Sequence, residues 1–146
     1  MLSFKKILVP YDGSEYSKRA LAHAVMIANE SNHPKLYVVS VEEDHSDISA
    51  NNLEREFINE RMRSINYSPA QDNLDKAKTQ IPESLDADYI PRKGSPTEII
   101  EKLADHIGPD LIIMGSRGHG ALTGMLLGSV SNHMLAHAKC PVCIVK

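Results

Sequence analysis

The chain has 146 residues, of which 42% are hydrophobic and 24% are charged, and its formal net charge is −3. These values are ordinary for a single soluble globular domain with a buried core, and the sequence has no long basic run of the kind that binds nucleic acid. No apolar stretch approaches the length of a membrane span, and the N-terminus has neither the apolar region nor the cleavage site of a signal peptide, so we expect a cytoplasmic protein.

Short apolar runs alternate with segments of helical periodicity along the chain. In the first helix, apolar residues recur at positions 20, 21, 24, 25 and 28, which lie on one helical face. Strands that alternate with helices predict a parallel sheet covered on both faces. The predicted strands are Lys5–Val9, Leu36–Val41, Ala87–Arg92, Leu111–Met114 and Val142–Val145. The predicted helices are Glu15 to about Asn29, Asn51 to about Asn66, Ala70 to about Ile81, Ser95 to Gly108, and Ser129 to about His137.

Capping residues mark several helix boundaries. Ser95 is expected to cap a helix with Pro96 at its first position, and Glu98 would complete a capping box. The pair Ser68-Pro69 predicts the start of another helix, because proline is tolerated at the first helical position but not in a helix interior. Gly108-Pro109 predicts a helix end.

The segment from about Glu43 to Asp86 is the least informative part of the chain. His45 lies among acidic residues there, but a metal site is the less favoured interpretation, since contiguous residues on an acidic loop are usually solvated. The helical patterns between Asn51 and Ile81 carry no recognisable chemistry. We interpret them as a lid or variable cover over a site.

The stretch from Asp110 to Asn132 is the most informative part. Its apolar run leads into five glycines and then into a helix start, after which Val130, Met134, Leu135 and Ala138 follow at helical spacing. The order of strand, glycine-rich loop and helix N-terminus suits phosphate, because glycine lets backbone N–H groups approach an anion and the helix N-terminus adds unpaired donors. Glycines also simply form long loops, and the pattern alone leaves that alternative open.

The spacing of these glycines resembles a known motif. Gly115, two residues, Gly118, nine residues and Gly128-Ser129 resemble the nucleotide-binding motif of the universal stress protein family. The resemblance extends over nearly the whole chain and is weakest between about Glu43 and Asp86. Further matching segments are Lys6–Ser14, Lys93–Pro96 and Cys140–Lys146.

The resemblance implies an α/β fold of the adenine nucleotide alpha hydrolase-like type, in which one domain over residues 1–146 has a five-stranded parallel sheet in the order 3-2-1-4-5. The strand order then reverses between the first and fourth strands, and ligands of such sheets bind at that reversal. Asp12 would meet Gly115 there, in a crevice with Val41. The implied ligand is ATP or another adenine nucleotide; the choice among ATP, ADP and AMP, and whether Mg²⁺ accompanies it, stay open.

The glycine loop and the helix start would bind the phosphates. The hydroxyls of Ser129 and Ser131 would add hydrogen bonds, although both serines also suit plain helix capping. Arg117 is placed to reach phosphate, and a solvated loop charge explains it equally well. The expected backbone donors are Gly118, Gly128, Ser129 and Val130.

The remaining site residues follow from the resemblance. Asp12 would hold a ribose hydroxyl or the edge of the base, and its alternative role is an Asx turn with Gly13. The residues expected to border adenine are Pro10, Tyr11 and Val41, with Met114 and Gly115 lining the pocket; most of these also suit ordinary core or loop positions.

Other catalytic and metal-binding patterns fit less well. The phosphate-binding pattern GxxxxGK[ST] is absent, and the glycines after Gly118 fail the dinucleotide pattern GxGxxG. His133 and His137 are four residues apart on a helix, but without a third ligand a solvated face is the better interpretation. The pair Cys140 and Cys143 lies at a helix-to-strand junction, where packing is favoured over redox or zinc chemistry.

The sequence therefore predicts a nucleotide-binding regulatory or sensor module with little or no turnover. The first alternative is a slow ATP hydrolase or phosphotransferase on the same site, and the second is a homodimeric interaction domain without nucleotide. The final strand, an uninterrupted apolar run at the sheet edge, predicts a homodimer joined through it, in line with the resemblance. Protein clients are not identifiable from the sequence.

Overall fold

The computed structural model describes residues 3–44, 67–119 and 124–146. Within these ranges, five strands form one sheet in the order β3-β2-β1-β4-β5, and all neighbouring strands are parallel. The predicted fold class and strand order are confirmed. The strands are β1 Lys6–Pro10, β2 Lys35–Glu42, β3 Ala87–Lys93, β4 Leu111–Gly115 and β5 Val142–Val145.

Helices in the described residues cover the two faces of this sheet. Successive residues of a strand point to opposite faces, so Ile7 and Val9 of β1 lie in one core cluster and Leu8 lies in the other. The first cluster is sealed by α1 and α2, and the second by α3 and α4. The helices are α1 Glu15–Glu30, α2 Pro69–Lys78, α3 Pro96–Ile107 and α4 Ser129–His137.

Local capping explains three of the helix boundaries. The Ser68 hydroxyl accepts a hydrogen bond from the backbone N–H of Gln71 at 3.2 Å, as its position before Pro69 predicts. The helix α3 ends at Gly108, whose φ of 64° lies in the left-handed region that favours glycine. The N-terminus of α1 is capped by Ser14, which accepts from the N–H of Ser17.

One sequence prediction about the helices is wrong. Ser95 stands at the N-cap of α3, but its hydroxyl lies 3.1 Å from the Thr97 hydroxyl and makes no capping bond, so the predicted capping box does not form. In α4, Met134 and Ser131 are buried, whereas Leu135 is 47% exposed. The predicted helix over residues 51–66 and the acidic loop at 45–49 lie outside the described residues.

Neighbouring strands pair over very different lengths. β1 stays paired with β2 along its whole length, from Lys6 opposite Lys35 to Pro10 opposite Val39. The ladder between β1 and β4 is confined to Ile7 opposite Leu111 and Leu8 opposite Ile112. Pairing between β1 and β4 thus stops before their carboxyl ends, and this is where the strand order reverses and a crevice opens.

None of the helices in the described ranges combines the length and the apolar character that a membrane crossing requires.

Candidate functional site

The turn after β1 and the loop after β4 meet at the side chain of Asp12. One carboxylate oxygen, Oδ1, accepts a hydrogen bond from the backbone N–H of Ser14 at 2.9 Å, which is an Asx turn. The other, Oδ2, accepts from the backbone N–H of His119 at 3.2 Å, across 107 residues of chain. The structure therefore brings two distant turns into one crevice, and it does so through Gly118 and His119.

Gly115, at the end of β4, packs against the start of α1, and its predicted position beside Asp12 stays a prediction. A β-carbon on Gly115 would lie 2.7 Å from Cβ of Tyr16 and 3.0 Å from the backbone nitrogen of Ser17. Any larger residue would push α1 away from the end of β4. Gly115 is therefore required for helix-to-strand packing at the floor of the crevice.

The charge of Asp12 is favoured by its hydrogen bonds. Burial of this carboxyl by itself raises its pKa, but hydrogen bonds from Ser14, Ser17 and His119 favour the ionised form, and the net effect is a lowered pKa. An ionised carboxylate accepts hydrogen bonds and donates none. The crevice thus presents a fixed acceptor beside the glycine loop.

The two ends of the glycine loop meet at the carbonyl group of Ser116, directly after β4. The carbonyl oxygen of Ser116 accepts from the backbone N–H of Gly128 at 2.7 Å and from the hydroxyl of Ser131 at 2.8 Å. The Ser131 hydroxyl also lies 3.1 Å from the Gly128 carbonyl oxygen, and this side chain is buried. The Gly128 N–H group and the Ser131 hydroxyl, both expected to bind phosphate, therefore hold the two ends of the loop together in this structure.

The N-terminus of α4 lies directly beside the Ser116 carbonyl group. Gly128 is its N-cap and has no side chain with which to cap the helix. The N–H groups at a helix start have no partner within the helix, and a helix N-terminus attracts anions. Ser129 and Val130 thus stand where the sequence predicts phosphate donors.

Arg117 lies against α1. Its guanidinium carbon is 5.1 Å from the ring centroid of Tyr16, and the guanidinium carbon of Arg19 is 5.0 Å from the same centroid. Both distances suit cation–π contacts. The Nε atom of Arg117 is buried and makes no hydrogen bond to the described part of the protein. The predicted phosphate contact of Arg117 stays a prediction.

The residues expected around adenine divide between the two faces of the sheet. Tyr11 is 3% exposed and packs in the first core cluster, while its backbone N–H donates to the carbonyl oxygen of Val39 at 2.8 Å. Met114 and half-buried Val41 lie in the second cluster. Pro10, at the end of β1, is buried. Val41 and Met114 thus share one side, and the ring of Tyr11 lies on the other.

Asn73 of α2 reaches the crevice, which sequence reasoning missed. Its amide nitrogen lies 3.4 Å from the Ser40 hydroxyl, and its Oδ1 would be 2.8 Å from a β-carbon on Gly13. The ring nitrogen Nε2 of His119 would lie 3.7 Å from the same point. Gly13 has φ 82°, so this turn needs glycine for its backbone and for the room. The sequence signal for Asn73 was limited to the general expectation that the segment between Asn51 and Ile81 covers a site.

The two cysteines pack against the two core clusters. Cys143 packs on the first core cluster and Cys140 on the second, so the two thiols face opposite sides of the sheet and both are free. Burial and then the charge of Asp110 raise the pKa of the Cys140 thiol, which disfavours the reactive thiolate.

The two histidines of α4 form a small polar cluster with α3. His133 Nε2 lies 2.8 Å from Glu101 Oε2, and its ring stacks on that of His137 with centroids 4.1 Å apart. Among the residues that the structure describes, no three histidine, cysteine or acidic side chains are grouped to hold a metal ion. The cluster joins two helices on the face that carries the second core.

The glycine spacing and its geometry agree with a comparison of whole sequences. The profile of the universal stress protein family matches residues 3–146. The chain belongs to this family. A universal stress protein of Thermus aquaticus is 35% identical over 143 residues, covering 98% of this chain and 99% of the relative. One from Methanocaldococcus jannaschii is 32% identical over 146 residues, covering 98% of this chain and 82% of the relative.

Solved structures of universal stress proteins share the fold. The protein UspA of Lactobacillus plantarum superposes with a TM-score of 0.76 at 22% identity, over 100% of both chains. A universal stress protein whose crystal structure is a complex with cAMP superposes with a TM-score of 0.63 at 28% identity, covering 99% of this chain and 98% of that one. An adenine nucleotide is therefore bound by a universal stress protein of related sequence and fold.

We expect the stabilising effect of the Asp12 carboxylate to disappear in acid. Because its pKa is lowered in the folded protein, its contribution is fully present above the unfolded value, close to the ordinary aspartate value of 3.8, and is lost as pH falls through the lower folded value. Asp12→Asn should reduce the free energy of unfolding by about 1 kcal/mol at neutral pH, and by less as the pH falls below about 4. Urea unfolding of both proteins across this pH range measures the difference; a cost that is independent of pH would contradict the assignment.

Proposed function

We propose that the crevice between the β1 turn and the β4 loop binds an adenine nucleotide, and that the protein acts as a regulatory or sensor module with little or no turnover. The observation that carries this proposal is the meeting of Asp12 with Gly118 and His119 beside the uncapped N-terminus of α4. One fixed acceptor for a ribose or base and one set of anion donors then face a common opening. The cytoplasmic location stays a prediction from the sequence.

The phosphate end of the proposed site consists of backbone groups. The N–H groups at the start of α4 and along the Arg117–Gly118 segment are close together, since a β-carbon on Gly128 would lie 3.4 Å from Cα of Arg117 and 3.7 Å from the nitrogen of Gly118. Two chain segments that approach this closely can direct donors at one anion. Arg117 and the Ser129 hydroxyl supplement these donors, and Mg²⁺ is an optional companion of the phosphates.

The base end of the proposed site is apolar with one polar group. Val41 and Met114 offer apolar contact from the second core cluster, while Asp12 supplies the acceptor for a ribose hydroxyl or an amino group. Pro10 and the backbone of Tyr11 border the same end of β1. The related protein in complex with cAMP supports an adenine nucleotide as the ligand class.

Binding without rapid chemistry is the favoured mode of action. Efficient phosphoryl transfer needs a positioned nucleophile or water, metal support and stabilisation of the transition-state charge together. His119 is a titratable side chain of the glycine loop, but its backbone N–H is bonded to Asp12 and its ring lies toward Gly13. A slow ATP hydrolase or phosphotransferase on the same site is the alternative.

Valine at either loop glycine should weaken nucleotide binding. A side chain at Gly118 would overlap the Asp12 carboxylate, and one at Gly128 would crowd the Arg117 backbone, so both changes displace the phosphate donors. We expect Gly118→Val and Gly128→Val to weaken ATP binding by at least about tenfold, roughly 1.4 kcal/mol. Isothermal titration calorimetry measures the affinity.

Gly108→Ala is the matched control for these glycine variants. It changes a glycine that follows α3, where a β-carbon would have no neighbour within 4 Å. The change costs stability only because the φ of 64° disfavours residues other than glycine. ATP affinity should stay at the wild-type value in this variant. Unchanged affinity in both valine variants would show that the nucleotide, if bound, lies elsewhere.

Turnover of ATP should be slow or absent. We expect a rate far below the 1–100 per second that is typical of kinases, on the order of one per minute or less, because no side chain is identified as a base. Phosphate release from purified protein, compared with the Gly128→Val variant to subtract contaminating activity, measures it. A wild-type rate within the kinase range that Gly128→Val removes would favour the enzyme interpretation.

The open edge of β5 supports a homodimer. In the sheet order of the described residues β5 stands last, and Val142, Cys143 and Ile144 are only partly buried. The carbonyl oxygens of Pro141 and Val145 bond to β4, so the alternating N–H groups of Val142 and Ile144 face away from it. A second copy paired antiparallel about a two-fold axis would satisfy these groups on both chains.

Proline at position 142 should separate the dimer without breaking the domain. Val142→Pro removes an outward-facing donor and leaves the bonds from β4 to Pro141 and Val145 in place. We expect this variant to keep its circular dichroism spectrum and to sediment as a monomer. Val142→Thr, which keeps both the N–H group and the branched side chain, is the control and should remain dimeric. A folded Val142→Pro dimer, or a wild-type monomer at micromolar concentration, would refute edge pairing.

A further inference from the structure

Two aspartates join β1 and β4 beyond the two ends of their short ladder. At the amino ends, Asp110 Oδ2 accepts from the backbone N–H of Lys5 at 2.7 Å and Oδ1 accepts from that of Lys6 at 3.1 Å. At the carboxyl ends, Asp12 accepts from Ser14 and His119. The two carboxylates make the same kind of backbone contact, but only the second reaches the glycine loop.

The contact between Asp12 and the loop is close as well as polar. A β-carbon on Gly118 would overlap Oδ2 of Asp12, so this oxygen packs directly against the Gly118 backbone while it accepts from the next N–H group. The ring of His119 lies over the neighbouring residue Gly13. One side chain thus fixes where the first part of the loop lies.

We propose that Asp12 is a positioning residue for the phosphate-binding loop, holding Gly118 and His119 in place before any nucleotide binds. The consequence for affinity rests on the proposed function, whereas the consequence for the loop does not. A carboxylate has about four lone-pair sites, so two bonds to the backbone leave room for a ligand hydroxyl. Positioning the loop and contacting a ribose are therefore separable roles of one side chain.

Hydrogen exchange of the free protein tests the positioning role directly. Asp12→Ala removes both acceptors, and without its partner the His119 amide should exchange about tenfold faster, the change expected from one lost hydrogen bond. Asp110→Ala is the matched control: it should accelerate the Lys5 and Lys6 amides and leave residues 116–119 unchanged. An Asp12→Ala protein in which the His119 amide exchanges at the wild-type rate would overturn the proposal.

Binding of inorganic tripolyphosphate gives a second measurement, in which the direction of the change in affinity is decisive. Removal of a negative charge near the loop by itself strengthens binding of an anion. If the loop depends on Asp12, Asp12→Ala should instead weaken tripolyphosphate binding by about fivefold, the worth of one hydrogen bond, while Asp110→Ala has no effect. Unchanged or tighter binding in Asp12→Ala, together with weaker binding of adenosine, would make Asp12 a ribose or base ligand alone and overturn the positioning role.

Gly118→Ala provides an independent variant if Asp12→Ala does not fold. It retains Asp12 and adds one methyl group that displaces the carboxylate from the loop. Faster exchange of the His119 amide supports the proposal, and wild-type exchange refutes it. A wild-type protein that binds neither ATP nor tripolyphosphate would refute the proposed function, and the exchange experiments would still decide whether Asp12 positions the loop.

Discussion

The separation of β1 from β4 is the constraint on which the rest of the site depends. The ladder between the two strands is confined to Ile7–Leu111 and Leu8–Ile112, after which β1 continues with β2 and β4 continues with β5. The carboxyl ends of the two strands therefore lie on either side of a gap, and the turns that follow the two strands line this gap. Asp12 lies at this gap and bonds across it.

The glycines that define the family motif have structural tasks before any ligand arrives. Gly115 lets α1 approach the end of β4 and Gly118 lets a carboxylate pack against the loop, whereas a β-carbon on Gly128 would make only ordinary contact with Arg117. The Ser116 carbonyl, with its two donors, then holds the base of the loop closed. The glycine spacing that predicts phosphate binding is therefore also needed for packing. Both roles place the same backbone N–H groups at the crevice.

Local signals in the sequence predicted the strands, the helix starts at Pro69 and Pro96, and the end of α3 at Gly108. The strand order came from the family resemblance, because pairing of distant strands leaves no local trace. The failure at Ser95 has a similar cause, because a cap depends on which neighbour the hydroxyl meets.

The candidate site was predictable in part. Asp12 and the glycine loop were placed in one crevice, but the hydrogen bond from the His119 backbone to Asp12 was not predicted. The face on which the Tyr11 ring lies, the reach of Asn73 and the backbone bonds of Asp110 depend on contacts between distant segments. Neither hydrophobic periodicity nor motif spacing contains that information.

The bond from His119 to Asp12 joins residues 107 positions apart, and this has a consequence for synthesis on the ribosome. A nascent chain that has released β1, β2 and β3 already carries Asp12, but the loop that completes the crevice has not yet been made. Domains fold as units while synthesis proceeds from the N-terminus, and a ligand stabilises only states that contain its site. A bound nucleotide would therefore stabilise the finished domain and leave truncated translation products without that protection.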